Sequence, residues 1–170
     1  MIRRALPADA KAIAQVHISS WQDAYRDLMP AQFLSGLQAT LARREAHWVR
    51  SLALGESTVW VAEVGQQVVG CIAVGATRAE YAVQAIAGEV MAIYVLAEYW
   101  HTGVGRALWN AGLQDLLAQG YERLTLWVLA GNERAIRFYR RAGCVEEAAT
   151  ERDLERGGVA LVEVRYGLPL

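Results

Sequence analysis

The sequence predicts an α/β domain built on a mixed sheet. Three observations carry that reading. Hydrophobicity alternates with period two over 58–64 and 67–74, as in paired strands. From residue 88 onward strand-like and helix-like runs alternate: 88–95, 103–119, 124–129 and 132–142. Two further strand-like runs close the chain, near 144–150 and at 159–166. Hairpin strands first, then β-α-β-α units, then a closing hairpin describe one layered α/β unit.

Taken in order, Ile2 to Leu6 reads as an edge strand. Pro7, Asp9 and the spacing of Ala10, Ile13, Ala14, Val16 and His17 predict a capped amphipathic helix reaching Ser19-Ser20. A second short helix is expected over 21–28, ending before Pro30, which disfavours helix at the residue before it. Helices follow over 31–37 and 40–54, the latter with Leu41, Glu45, Trp48 and Leu52 near one face and Gly55 one place past its end. Gly65-Gln66 joins the two alternating strands as a hairpin turn. Residues 77–87 read as a loop. The run 124–129 alternates only weakly, as for a strand buried on both faces. Gly120 ends the helix before it, and Asn132 is a natural N-cap for the helix after it. Arg156-Gly157-Gly158 separates the last two strands.

At 170 residues the chain suits a single domain, 1–170, with a sizeable core. A net charge of −1 gives no basic excess for nucleic acid, so no nucleic-acid partner is expected. No apolar run is long enough to span a membrane, and Met1 to Ala10 lacks a signal peptide's apolar core. Cys71 and Cys144 sit in apolar, strand-like contexts and read as buried thiols. A cytoplasmic location is the expectation. His17, His47 and His101 are scattered without carboxylates at ligand spacing, so no metal site is expected.

The organising stretch is 88–108, GEVMAIYVLAEYWHTGVGRAL. A strand rich in β-branched and aromatic residues leads through a turn to Gly103 and Gly105, where a helix begins. Glycines at a helix start leave unpaired N–H groups uncovered by any Cβ, which makes an anion cradle. A dinucleotide fingerprint needs a third glycine where Leu108 stands, and no phosphate-loop lysine motif occurs. A strand, a roomy turn and a glycine bend able to grip a pyrophosphate remain.

The stretch YVLAEYWHTGVGRAL resembles the acetyl-CoA motif of the GNAT N-acetyltransferase superfamily, Q/R-x-x-G-x-G/A, at Gly103 and Gly105. Trp100 stands where Gln or Arg is usual, and His101 where many members carry a glycine; a negative φ at His101 would make that substitution cheap. Downstream, NERAIRFYRRAG resembles N-x-x-A-x-x-F-Y-x-x-x-G at Asn132, Ala135, Phe138, Tyr139 and Gly143. Without the resemblance, that helix is an ordinary amphipathic one with its arginines in solvent.

The resemblance implies the GNAT fold: a mixed, mostly antiparallel twisted sheet of about seven strands flanked by helices. A gap between its fourth and fifth strands, here 88–95 and 124–129, holds the pantetheine of acetyl-CoA. The implied coenzyme contacts are Ile93, Tyr94 and Val95 on the strand, His101, Thr102, Gly103, Val104, Gly105 and Arg106 at the bend, and Asn132, Ala135, Phe138 and Tyr139 on the later helix. The Tyr139 hydroxyl would point at the coenzyme sulfur and protonate the leaving thiolate. Of the arginines at 134, 137, 140 and 141, one or two would meet the 3′-phosphate, with Arg106 the stronger phosphate ligand.

An amine with a pKa of about 10.4 is free base in roughly one molecule in a thousand at neutral pH, so the reaction needs a proton acceptor. Glu89 is the acidic residue nearest the expected gap and is either that base or a salt-bridged strand-end glutamate. Trp21, Asp23, Tyr25 and Asp27 lie on the segment that covers the acceptor side in the family. Trp21 and Tyr25 would form an aromatic wall and the carboxylates would suit a cationic amine. His17, one turn earlier, either borders that pocket or sits on the helix surface.

The implied activity is direct acetyl transfer from acetyl-CoA to a primary amine, on a small molecule or a peptide, without metal. Homodimers are common in the family. A CoA-binding regulatory module without turnover is the competing reading, and a nucleotide-binding α/β protein the more distant one.

Overall fold

The computed structural model of the chain describes residues 1–78 and 86–170. The loop expected over 77–87 therefore lies mostly outside the described residues.

Among the described residues eight strands form one sheet. They are β1 (Ile2–Arg4), β2 (Thr58–Val64), β3 (Gln67–Ala76), β4 (Ala87–Val95), β5 (Arg123–Leu129), β6 (Val145–Glu146), β7 (Arg152–Arg156) and β8 (Val159–Pro169). Their order is β1-β2-β3-β4-β5-β8-β6, with β7 also on β8. Among the described residues only the β4–β5 pair is parallel. The α-helices of the described residues that flank the sheet are α1 (Ala10–Ala24), α2 (Ala31–Gly36), α3 (Leu41–Leu54), α4 (Val104–Ala118) and α5 (Glu133–Arg141).

The sheet is covered on both faces, as a parallel crossover requires. On one face Leu108, Trp109 and Leu116 of α4 and Tyr139 of α5 pack on Val69, Ile72, Val74, Val90, Leu124 and Leu126. On the other, Ile13 and Ala14 of α1 and Trp48 of α3 pack on Val59, Val61, Val68, Cys71 and Ala73. Strand β3 contributes to both clusters, which is why its sequence is apolar almost throughout. A third cluster, with Ile18, Met29, Leu34 and Leu129 at its centre, joins α1 and α2 to Leu154 and Leu161 of the β7–β8 hairpin.

Two elements depart from the sequence reading. The separate helix over 21–28 does not form: α1 runs unbroken through Ser19-Ser20 to Ala24. The Ser20 hydroxyl donates to the His17 carbonyl, so it bonds back onto its own helix instead of capping a new one. The strand expected near 144–150 is only Val145–Glu146, and β7 is an extra strand. Its sequence RDLER lacks alternation because it lies at the sheet edge, exposed at every position but Leu154. The hairpin turn at Gly65-Gln66 is as expected, with φ of 54° and 66°.

The feature that positions the site is in β4. Val74 pairs with Val90 and Ala73 with Ala92, so Met91 is an extra residue bulged out of the β3–β4 ladder. The parallel ladder to β5 runs from Ala87↔Arg123 to Val90↔Leu126 and stops at that bulge. Beyond it β5 stays with β8, pairing Trp127 with Arg165 and Leu129 with Glu163. The two strands diverge, and the gap expected between the fourth and fifth strands opens there.

Candidate active site

A cleft of about 700 Å³ occupies this gap. Its walls come from β4 between Glu89 and Val95, from the end of β5, from the starts of α4 and α5, and from α1. Along β4 from Met91 to Val95 the backbone groups on the β5 side have no strand partner among the described residues, which leaves donors and acceptors for a ligand laid in the slot.

At one end stands the start of α4. Gly103 takes φ 92° at the N-cap, a left-handed value that disfavours a side chain, and a Cβ there would meet nothing within 4 Å. No side chain caps the helix. The first intrahelical bond is from Ala107 N–H to the Gly103 carbonyl, so the N–H groups of Val104, Gly105 and Arg106 lack helical acceptors. His101 has φ 63°, against the negative value that would make its substitution for glycine cheap; histidine is among the residues that tolerate this region. Thr102 and Val104 do not line the cleft: the Thr102 hydroxyl donates to the Tyr99 carbonyl at 2.7 Å, and Val104 packs toward the core. The other expected coenzyme contacts, Ile93, Tyr94, Val95, His101, Gly103, Gly105, Arg106, Asn132, Ala135, Phe138 and Tyr139, all line it.

Trp100, in the family's Gln/Arg position, plays two parts. Its indole N–H donates to the Val95 carbonyl at 2.9 Å, tying the turn to the end of β4. Its face carries the Arg134 guanidinium, 3.7 Å from the ring centroid. Arg134 belongs to α5, so this stack joins the two sides of the cleft. Burial pulls the Arg134 pKa down, and no carboxylate pairs with it among the described residues. Arg134, Arg137 and Arg141 all line the cleft, their i, i+3, i+7 spacing placing them on one helix face. Arg140 turns away to Glu146 and the Tyr166 ring.

Asn132 caps α5 as expected, its side-chain oxygen accepting from the Ala135 N–H at 3.2 Å. About two helical turns on, Tyr139 is buried against Trp109 and Phe138, with ring centroids 5.8 and 5.5 Å away. Its hydroxyl has no hydrogen-bond partner among the described residues and lines the cleft. Burial, with the neighbouring phenols Tyr25 and Tyr94, raises its pKa, so the group holds its proton.

Glu89 is 3% exposed and lines the opposite stretch of the wall. Its carboxylate accepts from the Arg78 backbone N–H at 2.9 Å and from the Arg78 guanidinium at 2.6 Å. The salt-bridged reading of Glu89 is thus realised in a carboxylate that also faces the cleft.

Trp21 and Tyr25 form the expected aromatic wall, their rings edge to face at 5.2 Å. The Trp21 N–H is buried without an acceptor at hydrogen-bond distance, although it lies near enough to Tyr94 to favour that phenol's anion slightly. Asp23 and Asp27 are not in the wall; Asp23 pairs with Arg26 instead. His17 is half-buried and stacked on the Tyr94 ring at 4.3 Å. Burial, then the adjacent Arg44 charge, pushes its pKa down to about 3. Sequence reasoning missed Trp100 and Arg78 as parts of the site, because neither residue type is what the motif or the strand pattern asks for. Among the described residues no cluster of His, Cys, Asp or Glu is arranged to hold a metal, both cysteines are free and buried, and no helix is long and apolar enough to cross a membrane.

A divided β4–β5 seam with a glycine bend at its mouth is the architecture of an acetyltransferase, and the sequence comparison agrees. Residues 19–144 match the acetyltransferase (GNAT) family. The chain belongs to this family. It is 34% identical to the uncharacterized N-acetyltransferase YuaI of Bacillus subtilis, over 99% of this chain and 92% of that one. Among solved structures, a ribosomal-protein-alanine N-acetyltransferase from Brucella melitensis superposes with a TM-score of 0.77 at 22% identity, covering 100% of this chain and 99% of that one. The yncA protein of Salmonella typhimurium, a putative acetyltransferase solved with its cofactor acetyl-CoA, has a TM-score of 0.75 at 21% identity, covering 100% and 93%.

Proposed function

We propose that the protein transfers the acetyl group of acetyl-CoA to a primary amine by direct attack. The observation that carries this reading is the slot itself. A cleft with unpaired β4 backbone on one wall leads from three free helix N–H groups to a buried, proton-holding phenol. The helix start and Arg106 grip the pyrophosphate. Backbone N–H groups between Ile93 and Val95 polarise the thioester carbonyl. The amine nitrogen forms a bond to the acetyl carbon as the carbon–sulfur bond breaks. Glu89 takes the proton the nitrogen sheds, and Tyr139 gives its proton to the departing sulfur. The yncA neighbour's acetyl-CoA supports the choice of coenzyme.

The test is a panel of amines incubated with acetyl-CoA, with free CoA thiol as readout. Thiol release that requires both an amine and the protein is expected. Binding of acetyl-CoA without amine-dependent release would instead identify a CoA-binding module.

A further inference from the structure

The geometry points to an acceptor that carries an acidic group beside its amine, and to Arg156 as the residue that receives it. This rests on the acetyltransferase reading above and names its acceptor class.

The charged groups at the acceptor end fall into two sets. Arg78 is paired with Glu89, and Arg152 with Glu163 at 2.6 Å while also lying 4.0 Å over the Trp127 ring. Those two cations are neutralised by partners in the same wall. Arg156 and Arg44 are not. Arg156 lines the cleft from the tip of the β7–β8 hairpin, and its one hydrogen bond is to the carbonyl of Glu155 at 2.8 Å. Arg44, behind the aromatic wall, donates to Thr40 at 2.9 Å and to His17 Nε2 at 2.9 Å, and lies 5.4 Å from the Trp21 ring centroid. Among the described residues neither has a carboxylate within salt-bridge distance. They are near enough to oppose each other's charge. Burial and the Arg44 charge hold the pKa of neighbouring His17 down, so it adds no third charge.

The hairpin that carries Arg156 is fixed in place. Gly157 has φ 59°, and a Cβ there would come within 2.7 Å of Phe33, so the turn seats closely on α2. Arg156 is thereby held over the same opening that Trp21 and Tyr25 wall.

Arg156, exposed on the cleft wall, and Arg44, behind the wall and not lining the cleft, are two cations without a carboxylate partner among the described residues, and this has a chemical consequence. They repel a purely cationic amine such as a polyamine. They attract a carboxylate, phosphonate or sulfonate attached to the amine, through charge-assisted hydrogen bonds to a guanidinium. They also favour the free-base form of the amine that must attack. The carboxylates that would suit a cationic amine, Asp23 and Asp27, are absent from the wall.

The experiment pairs amino acids of graded chain length with the amino alcohols of the same length, assayed by thiol release at equal free-amine concentration. Spermidine serves as the cationic comparison. At one length at least, the acid is expected to exceed its alcohol by about tenfold or more in kcat/KM. Arg156→Gln should erase that preference by raising KM for the acid with little change for the alcohol, and Arg156→Lys should restore part of it. Equal use of acid and alcohol, a preference for spermidine, or a preference that survives Arg156→Gln overturns the inference while leaving the acetyltransferase reading intact. A second readout is calorimetric titration of the N-acetylated acids and N-acetylated alcohols in the presence of CoA. Arg156-dependent binding of the acids without turnover of any amine would uphold the acidic-ligand site and reject the transfer activity. Equal binding of both series rejects the site.

Discussion

Arg134 lies 3.7 Å over the centre of the Trp100 ring, a contact that joins the β4 side of the cleft to the β5 side. The tryptophan is thus more than a departure from the family's Gln/Arg position. Its indole N–H is committed to the Val95 carbonyl, and its face holds a cation from the neighbouring helix.

Trp100→Leu removes both the stack and the indole bond to the Val95 carbonyl. A cation–π contact is worth about 0.5–2 kcal/mol, so acetyl-CoA should bind roughly 2- to 30-fold more weakly. Trp100→Phe keeps the face and should recover most of that loss. Titration calorimetry reads both, and unchanged affinity in the leucine variant would show that Arg134 reaches the coenzyme without help from the ring.

Tyr139→Phe keeps the packing against Trp109 and Phe138 and removes only the hydroxyl. Coenzyme affinity should hold, and turnover should drop roughly 10²-fold, the scale of a positioned proton donor. Unchanged turnover with chemistry rate-limiting would reduce Tyr139 to a packing residue.

Glu89→Gln separates base from brace. If Glu89 takes the amine proton, the variant is slow at neutral pH and recovers as pH climbs toward the amine's own pKa, where solvent supplies free amine. If the carboxylate only anchors Arg78, the variant melts earlier but its pH–rate profile overlays the wild type. Glu89 is buried but its partner Arg78 is largely exposed, so some loss of stability, smaller than for a fully buried pair, accompanies either outcome. The profile, not the melting temperature, decides.

His17 sets an acid limit. Its pKa is about 3 in the folded chain and about 6.5 when unfolded. Between those values the unfolded chain binds a proton that the folded one refuses, so stability rises with pH across this window. The contribution is complete above about pH 6.5 and is lost as pH falls toward 3. His17→Phe keeps a ring against Tyr94 and cannot titrate. Its melting temperature should therefore decline less steeply over the same window, and an identical slope would rule out His17 as a source of acid sensitivity.

Much of this was legible in the sequence where a local rule and a long-range one agreed. The alternating strands, the glycine bend and the Asn132 cap each follow from the conformational needs of single residues, and the resemblance located both site blocks. Legibility failed where the decisive partner was distant in the chain. Met91 is bulged because Val74 and Ala73 choose partners on either side of it, which no pattern within β4 announces. The RDLER strand is an edge strand defined by its pairing with β8. Asp23 and Asp27 sit in the expected segment but off the wall: Asp23 is near the end of the continuous α1 and pairs with Arg26, and Asp27 lies in the turn that follows that helix.

The seam between β4 and β5 has a mechanical meaning. Among the described residues the backbone lacing of the two half-sheets runs from the Glu122 N–H bond to the Ile86 carbonyl through Ala87↔Arg123 to Val90↔Leu126, while α4 carries the covalent link between them. The zipper is short, and its amides should trade hydrogens with solvent sooner than those in the longer β2–β3 and β5–β8 ladders. A slender chain lodged in the open part of the slot would bridge the halves like an added rung. Occupancy would then be audible at a distance: slower exchange at Val90 and Leu126, residues at the closed end of the slot, as the far end fills.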